Sequence, residues 1–327
     1  MEFETTITGW YLTQYFQSQD RTASRNRSLY ETANRKTWNA STDLRWNLAD
    51  ALNDFPTQQT AEPLSGFPAF ESLCRHQRIA LSWQRHAMDI SEILHGEQGA
   101  LLLASQLISG MPTHDGKLFA SSQVSDEARH VDFFARYLQQ TTGKVYPPSA
   151  CLQDVLLTGL RHTNWEIKFI VCQLLIESLA LARFSEIHQT TRLPLLRSGL
   201  ELILKDEARH VKFGVDALKS VHVKLAPYEL EERSDFVINS ALTLCNINTN
   251  SVRIAREQGW NVAALRKHLR HYQMRHPELA RNRLRQLTLN MTHAGLMTDK
   301  TRQRLKQFSQ QFCHPTNSPV SALQSGR

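Results

Sequence analysis

The pentapeptide Asp-Glu-Ala-Arg-His occurs twice in this chain, and a glutamate precedes each copy at the same distance. Every position of the second set lies 80 residues beyond its counterpart in the first. The two sets are Glu97, Asp126, Glu127, Arg129 and His130, then Glu177, Asp206, Glu207, Arg209 and His210. They contain four glutamates and two histidines in duplicate Glu…Glu-x-x-His units, the ligand set with which a four-helix bundle holds two metal ions.

The spacing within each unit suits metal binding by a helix. Residues i and i+3 lie on one helix face, so the glutamate and histidine of each pentapeptide can offer an oxygen and a nitrogen to one ion. Glu97 and Glu177 lie in apolar stretches, where an unpaired charge is costly and a divalent cation would neutralise it. A lone Glu-x-x-His is usually a surface pair, but two copies agree here at six positions. We therefore predict six metal ligands: Glu97, Glu127, His130, Glu177, Glu207 and His210.

Ligand chemistry narrows the choice of metal, and the remaining pentapeptide residues have supporting roles. Carboxylates and imidazoles without a thiolate favour two iron ions, with manganese as second choice, over a closed structural zinc site. A metal-bound imidazole commonly donates its other N–H to a carboxylate. Because each aspartate points about 100° away from the adjacent glutamate, we expect it to reach the histidine of the opposite pentapeptide: Asp126 with His210, and Asp206 with His130. Arg129 and Arg209 are expected to keep these aspartates ionised.

Four long helices are needed to position these residues, and the sequence predicts them. Amphipathic helical patterns cover about 70–108, 117–140, 164–189 and 192–218, with a linking helix at 152–161 and later helices at 230–257, 262–275, 278–292 and 298–311. No stretch shows a useful strand pattern, so the predicted fold is all-α. We divide the chain into an N-terminal extension (1–69) packing on the bundle through Trp38 and Trp46, a dimetal four-helix bundle (70–220), C-terminal helices (221–314) and a disordered tail (315–327).

Composition bounds the location and the partners. The formal net charge is +7, with much of the excess between Arg266 and Arg285. This run fits a solvated helix face, and the alternative is a surface for an acidic partner such as a carrier protein or a reductase. It lacks the aromatic interleaving of nucleic-acid modules. The five cysteines are odd in number and share no metal-ligand spacing, which favours reduced thiols and a cytoplasmic protein. No apolar stretch is long enough to span a bilayer.

The pattern Glu-x28-Asp-Glu-x-x-His, at 97–130 and 177–210, resembles that of the ferritin-like diiron oxygenases. Its spacing resembles that of the p-aminobenzoate N-oxygenases, and its Asp-Glu-x-Arg-His form is similar to that of bacterial multicomponent monooxygenase hydroxylases and acyl-carrier-protein desaturases. The resemblance covers about residues 70–220. It implies a ferritin-like four-helix bundle and a diiron centre that activates dioxygen. The arylamine N-oxygenases carry an additional histidine ligand one turn before the last glutamate, and the matching position here is Ile203.

The resemblance leads us to expect an O2-activating, non-haem diiron oxygenase that hydroxylates or N-oxygenates a small hydrophobic or aromatic organic substrate. We expect residues one turn from the ligands to form its pocket: Leu94, Leu101, Phe134, Gln173, Leu181 and Ile203. The chain has no dinucleotide-binding glycine motif and no iron–sulfur cysteine cluster, so electrons are expected from a separate reductase or ferredoxin.

Two other functions stay open at this point. One is a diiron desaturase or hydroxylase acting on a substrate tethered to an acidic carrier protein, which the positive charge would suit. The other is a non-catalytic, iron-handling ferritin-like protein, although two symmetric histidines suit O2 activation better than iron transit. We also expect a homodimer that associates with neither a membrane nor a nucleic acid.

Overall fold

The computed structural model describes residues 21–47, 51–111, 113–244 and 249–313, and within these ranges it contains helices and no β-strand. In chain order the helices are α1 (Arg21–Arg35), α2 (Ala40–Asp43), α3 (Pro68–Glu71), α4 (Arg75–Gly110), α5 (His114–Thr141), α6 (Ala150–Arg161), α7 (Trp165–Phe169), α8 (Glu177–Thr190), α9 (Pro194–His222), α10 (Pro227–Leu244), α11 (Thr249–Glu257), α12 (Val262–Arg275), α13 (Pro277–His293) and α14 (Asp299–Cys313). The predicted all-α fold is confirmed.

Two helical hairpins form the bundle. The first pairs α4 with α5, and the second pairs α9 with a long helix made of α7, a π-helical segment (Ile170–Ile176) and α8. Helix α6 links the hairpins and packs on α4 and on the π-helical segment. Helix α9 begins at Pro194, where proline fits because the first helical turn needs no backbone donor.

Threonine and serine side chains cap the N-termini of helices α5 and α6. Thr113 begins α5 by accepting a hydrogen bond from the Gly116 amide at 3.2 Å, and Ser149 begins α6 by accepting one from Leu152 at 3.2 Å. Such caps satisfy amides that have no partner within the helix. Gly143 follows α5 with φ of +63°, a backbone conformation that glycine adopts without steric cost.

The segments on either side of the bundle pack against it. Helix α1 lies on α5 and α9, and Trp38 is buried in an apolar cluster that Trp46 also contacts. Helix α13 covers α8 and α9, and its Asn290 donates a hydrogen bond to Ser178 of α8 at 2.8 Å. Helices α10 and α11 occupy the predicted 230–257 helix, with residues 245–248 outside the described part. The first twenty residues and the predicted disordered tail also lie outside it.

Candidate metal centre

The structure brings all six predicted ligand residues together in the middle of the bundle. Their ligand atoms fall into two groups, within each of which all atoms lie within 4.8 Å of one another: Glu97, Glu127, His130 and Glu207, and Glu127, Glu177, Glu207 and His210. Two glutamates, Glu127 and Glu207, belong to both groups. If the cluster held a pair of metal ions, both would therefore share these two carboxylates, and each would have one histidine and one further glutamate of its own.

Distances within the cluster suit metal ions. His130 Nδ1 lies 3.1 Å from Glu97 Oε2 and 3.0 Å from Glu207 Oε1, and His210 Nδ1 lies 3.2 Å from Glu127 Oε1. Ligand atoms at right angles around an ion about 2.1 Å away would be roughly 3.0 Å apart. Moreover, Glu127 Oε2 is buried without a hydrogen-bond partner, which is unusual for a carboxylate unless an ion satisfies it.

The pKa values of the clustered glutamates and histidines also indicate a site that would bind cations. Burial and the charge of Glu207 raise the pKa of Glu97 to about 8, and burial and the charge of Glu127 raise the pKa of Glu177 well above its ordinary value. Burial would lower the pKa of both site histidines, but Glu127 and Glu207 raise it well above its ordinary value. Glu97 and Glu177 thus favour their protonated forms, whereas hydrogen bonds and the charge of the histidines lower the pKa of Glu127 and Glu207. Two divalent cations would supply positive charge and balance four ionised glutamates.

The aspartates lie on the far side of the histidines. His130 Nε2 is 3.2 Å from an oxygen of Asp206, and His210 Nε2 is 3.1 Å from an oxygen of Asp126. This is the crossed pairing that the sequence predicted. It leaves Nδ1 of each ring facing the clustered glutamates. Arg209 donates hydrogen bonds to both aspartates, and Arg129 donates one to Asp126.

A tryptophan from the N-terminal segment completes one of these contacts. Trp38 Nε1 donates a hydrogen bond to Asp206 at 2.7 Å, and its ring stacks at 16° to that of His130. Burial would raise the pKa of Asp206, but hydrogen bonds from His130 and Trp38 outweigh it and lower the pKa to about 2. The sequence indicated Trp38 only as an apolar contact, since nothing in its local pattern shows a partner 168 residues away.

Comparison with known proteins identifies the family. The family model described as p-aminobenzoate N-oxygenase AurF matches residues 19–295, which include all six clustered glutamates and histidines. The chain belongs to the AurF family. It is accordingly an oxidoreductase of the diiron oxygenase type, and its buried cluster fits two iron ions or manganese. No curated protein matches the sequence at a significant level.

Solved structures support the fold of this AurF family member. One is a variant of an R2-like ligand-binding oxidase with an aerobically reconstituted Mn/Fe cofactor, at 16% identity and a TM-score of 0.53, covering 85% of this chain and 94% of that chain. A second variant, with an anaerobically reconstituted Mn/Fe cofactor, has the same identity, TM-score and coverage. A third covers 86% of this chain and 96% of that chain at 16% identity and a TM-score of 0.52. They confirm the ferritin-like bundle.

A cavity of about 180 Å³ adjoins the cluster of this AurF family member at Glu97. Its walls are mainly apolar, from α4, α6, the π-helical segment and α8: Ile93, Leu152, Ile176, Leu179, Ala180 and Phe184. At its polar end lie Asp89, Arg183, Asn250 and Arg283. Asp89 accepts hydrogen bonds from Arg183 and Asn250, and Arg283 donates one to Glu186.

None of the six residues predicted for the pocket lines this cavity. Leu94, Phe134 and Ile203 pack in the apolar core. Gln173 donates a hydrogen bond to Gln123. Leu101 is half-buried, and Leu181 lines a groove between α8 and α13. Neighbouring helix positions point about 100° apart. Ile93 and Ala180 therefore face the cavity, whereas the adjacent Leu94 and Leu181 do not.

Gln123 is a site residue that the sequence argument missed. It is fully buried, and its Nε2 donates hydrogen bonds to Glu127 at 3.1 Å and to Glu177 at 3.0 Å. The available signal was its place one turn before Glu127, where a polar residue faces the same side of the helix.

Among the described residues of this AurF family member, no helix is long and apolar enough to cross a membrane.

Proposed function

We propose that this protein inserts an oxygen atom from O2 into a small, mainly apolar organic substrate held in the cavity beside Glu97. The observation that carries the proposal is the position of this cavity, because it reaches one of the candidate metal ligands directly. A chain that only stored or moved iron would have no need of an apolar chamber at that ligand. The two reactions that we propose are hydroxylation and N-oxygenation, the latter being the activity in the family's description.

The roles of the residues follow from the geometry. We propose that Glu97, Glu127, His130, Glu177, Glu207 and His210 hold two iron ions, or manganese, which would supply O2 activation. Asp126 and Asp206 orient the histidines by accepting hydrogen bonds from their Nε2–H groups, and Arg209 donates hydrogen bonds to both aspartates. The apolar walls exclude water from the reacting end of the cavity.

Cavity shape and chemistry limit the substrate. An apolar cavity of about 150 Å³ in another protein binds benzene, so a cavity of about 180 Å³ suits a single-ring compound. Its polar end holds Arg183, Arg283, Asp89 and Asn250, and Arg283 Nε is buried there without a hydrogen-bond partner. We propose a substrate with an aromatic body and a hydrogen-bond acceptor on the side away from the metals.

Two substitutions on opposite faces of α8 test the proposal. Ala180 lines the cavity and Ala182 lines the groove against α13. With iron, a chemical reductant and ¹⁸O2, the wild type should incorporate label into members of a panel of small aromatic amines and phenyl compounds. Ala180→Phe should abolish this incorporation while retaining bound iron, and Ala182→Phe should retain both. Label incorporation that survives in Ala180→Phe would refute the cavity as the substrate site.

An alternative proposal is a substrate tethered to an acidic carrier protein. The exposed faces of α12 and α13 carry a basic patch: Arg266, Lys267, Arg270, Arg275 and Arg281. Reversing Arg270 and Arg275 to glutamate should then raise KM for the carrier-bound substrate and leave KM for the free substrate unchanged. Equal KM values before and after the change would count against a carrier.

We further propose that the oxygenase receives electrons from a separate donor protein, forms a homodimer and is located in the cytoplasm.

A further inference from the structure

The two halves of the internal repeat differ beside the metal centre. Gln123 and Gln173 each lie four residues, about one turn, before a candidate ligand, Glu127 or Glu177. Their counterparts 80 residues away are apolar: Ile203 and Ile93. All four positions lie in the bundle, so an isoleucine pair is compatible with the fold there. Packing alone therefore does not explain why glutamines occupy these two positions.

The glutamines form a hydrogen-bonded chain that ends on the carboxylates. Gln173 Nε2 donates to Gln123 Oε1 at 2.6 Å, so the amide nitrogen of Gln123 must face the other way. That nitrogen donates to Glu177 at 3.0 Å and to Glu127 at 3.1 Å. Both glutamines are fully buried. One carboxamide thus joins ligands from two helices, and the second fixes its orientation.

The surrounding helices make room for this chain on one side only. Gly214 of α9 faces Gln173, and a Cβ at position 214 would come within 2.1 Å of Gln173 Cβ. The repeat counterpart of Gly214 is Phe134, which is fully buried in the apolar core. On that apolar side Ile93 lines the cavity beside Glu97. The glutamine chain therefore contacts Glu127 and Glu177, whereas the cavity reaches Glu97.

We propose that Gln123 and Gln173 are positioning residues that fix the Glu177 carboxylate and make the two metal positions inequivalent. The ion at the Glu177 end is then bound more tightly, and the ion at the Glu97 end is the one that faces the substrate cavity. Pre-orienting a ligand lowers the conformational entropy that metal binding must remove. This inference rests on the metal centre of the proposed function and is independent of the substrate.

Titration of the metal-free, full-length protein with Co(II), followed by calorimetry and visible absorption, tests this inference. The wild type should bind two ions per chain with different affinities. Gln123→Leu should weaken the tighter ion by about 10- to 100-fold, as is typical when a group that supports a ligand is lost, and weaken the other ion less, because Gln123 also donates to Glu127, which both ligand groups share. Since Gln173 acts through Gln123, the double variant with Gln173→Leu should bind no more weakly than Gln123→Leu alone.

Ile203→Leu, at the position that matches Gln123 in the repeat, is the matched control and should leave both affinities unchanged. Equal weakening of both ions, no weakening, or additive effects of the two glutamines would overturn the inference. Gln173→Leu by itself, checked by circular dichroism, serves if Gln123→Leu does not fold. Failure of the wild type to bind two ions would instead refute the proposed metal centre.

Discussion

Side chains from distant parts of the chain orient His130 through hydrogen bonds to Asp206. Trp38 and His130 both donate to one oxygen of Asp206, at 2.7 Å and 3.2 Å. Arg209 donates to its other oxygen. With three donors the carboxylate stays ionised and the imidazole keeps its Nδ1 toward the cluster. The N-terminal segment therefore contributes to the site as well as to packing.

Replacing Trp38 by phenylalanine should test this contribution. The change removes a hydrogen bond to a charged group, which costs about 1.5–3 kcal/mol of unfolding free energy. Trp46→Phe is the matched control, because Trp46 Nε1 donates at 2.6 Å to the neutral carbonyl of Ala40 and its loss should cost about 1 kcal/mol. Urea unfolding of the metal-free variants measures both values. Equal costs would show that Asp206 draws no special support from Trp38.

At this scale the six clustered residues and the crossed aspartate–histidine pairs could be predicted, whereas the contributions of Gln123 and Trp38 could not. The six ligand residues repeat a pattern at 80-residue spacing, so coincidence was a poor explanation. Gln123 and Trp38 have no such duplicate, since position 203 holds isoleucine and position 118 holds leucine. Their partners are set by how helices pack rather than by neighbours in sequence.

Helices were predicted well wherever their polar and apolar faces are continuous. The predicted 117–140 and 262–275 segments correspond closely to α5 (His114–Thr141) and α12 (Val262–Arg275). The π-helical segment at Ile170–Ile176 was not foreseen. Its Gln173 carbonyl accepts a hydrogen bond from Ser178 at 3.3 Å, and Ser178 in turn accepts one from Asn290 of α13, which is distant in sequence. No local pattern carries that information.

Two glycines inside long helices should respond oppositely to alanine. At Gly199 of α9 a new Cβ would lie 2.2 Å from Phe133 Cζ of α5, so Gly199→Ala should cost about 1–3 kcal/mol through overpacking. Gly96 of α4 has nothing within 4 Å of a new Cβ, and Gly96→Ala should gain about 0.5–1 kcal/mol from helix propensity. Chemical denaturation measures both changes. A gain at Gly199 would contradict the described α5–α9 packing.

Asp89 ties α4 to two other helices, and its removal should destabilise the protein in a pH-dependent way. It accepts from Arg183 of α8 at 3.0 Å and from Asn250 of α11 at 2.7 Å. Burial would raise its pKa, but Arg85 and Arg183 lower it below the ordinary value. Because the folded pKa is the lower one, ionised Asp89 stabilises the fold above the unfolded pKa of about 4 and loses this effect as pH falls further.

Asp89→Asn should therefore cost about 3–5 kcal/mol at pH 7, the usual cost of breaking a buried ion pair. The difference from wild type should shrink as pH falls below about 4. Asp132→Asn is the control, since Asp132 is exposed and pairs with Arg136 at 3.4 Å, and it should change stability by less than about 1 kcal/mol. Urea unfolding across pH measures these values, and a pH-independent cost at Asp89 would contradict the assignment.

At the level of the whole molecule, the metal centre and the fold depend on each other. Four buried carboxylates in one bundle repel one another without cations, and the bundle is held around them by α1, α6 and α13. Ions that bind only the folded chain stabilise it by mass action. Fe(II) at about 100 times its Kd should add roughly 2.7 kcal/mol per site to the unfolding free energy. Anaerobic thermal unfolding with and without Fe(II) measures this, and an unchanged midpoint would count against such linkage.

The most direct test of the central claim is the metal content of purified protein reconstituted with Fe(II). Wild type should hold two iron ions per chain. Glu127→Ala and His210→Ala, which remove one bridging carboxylate and one imidazole, should each fall well below two, with helical content retained by circular dichroism. Full occupancy by two ions in both variants would contradict the assignment of these side chains as the dimetal site.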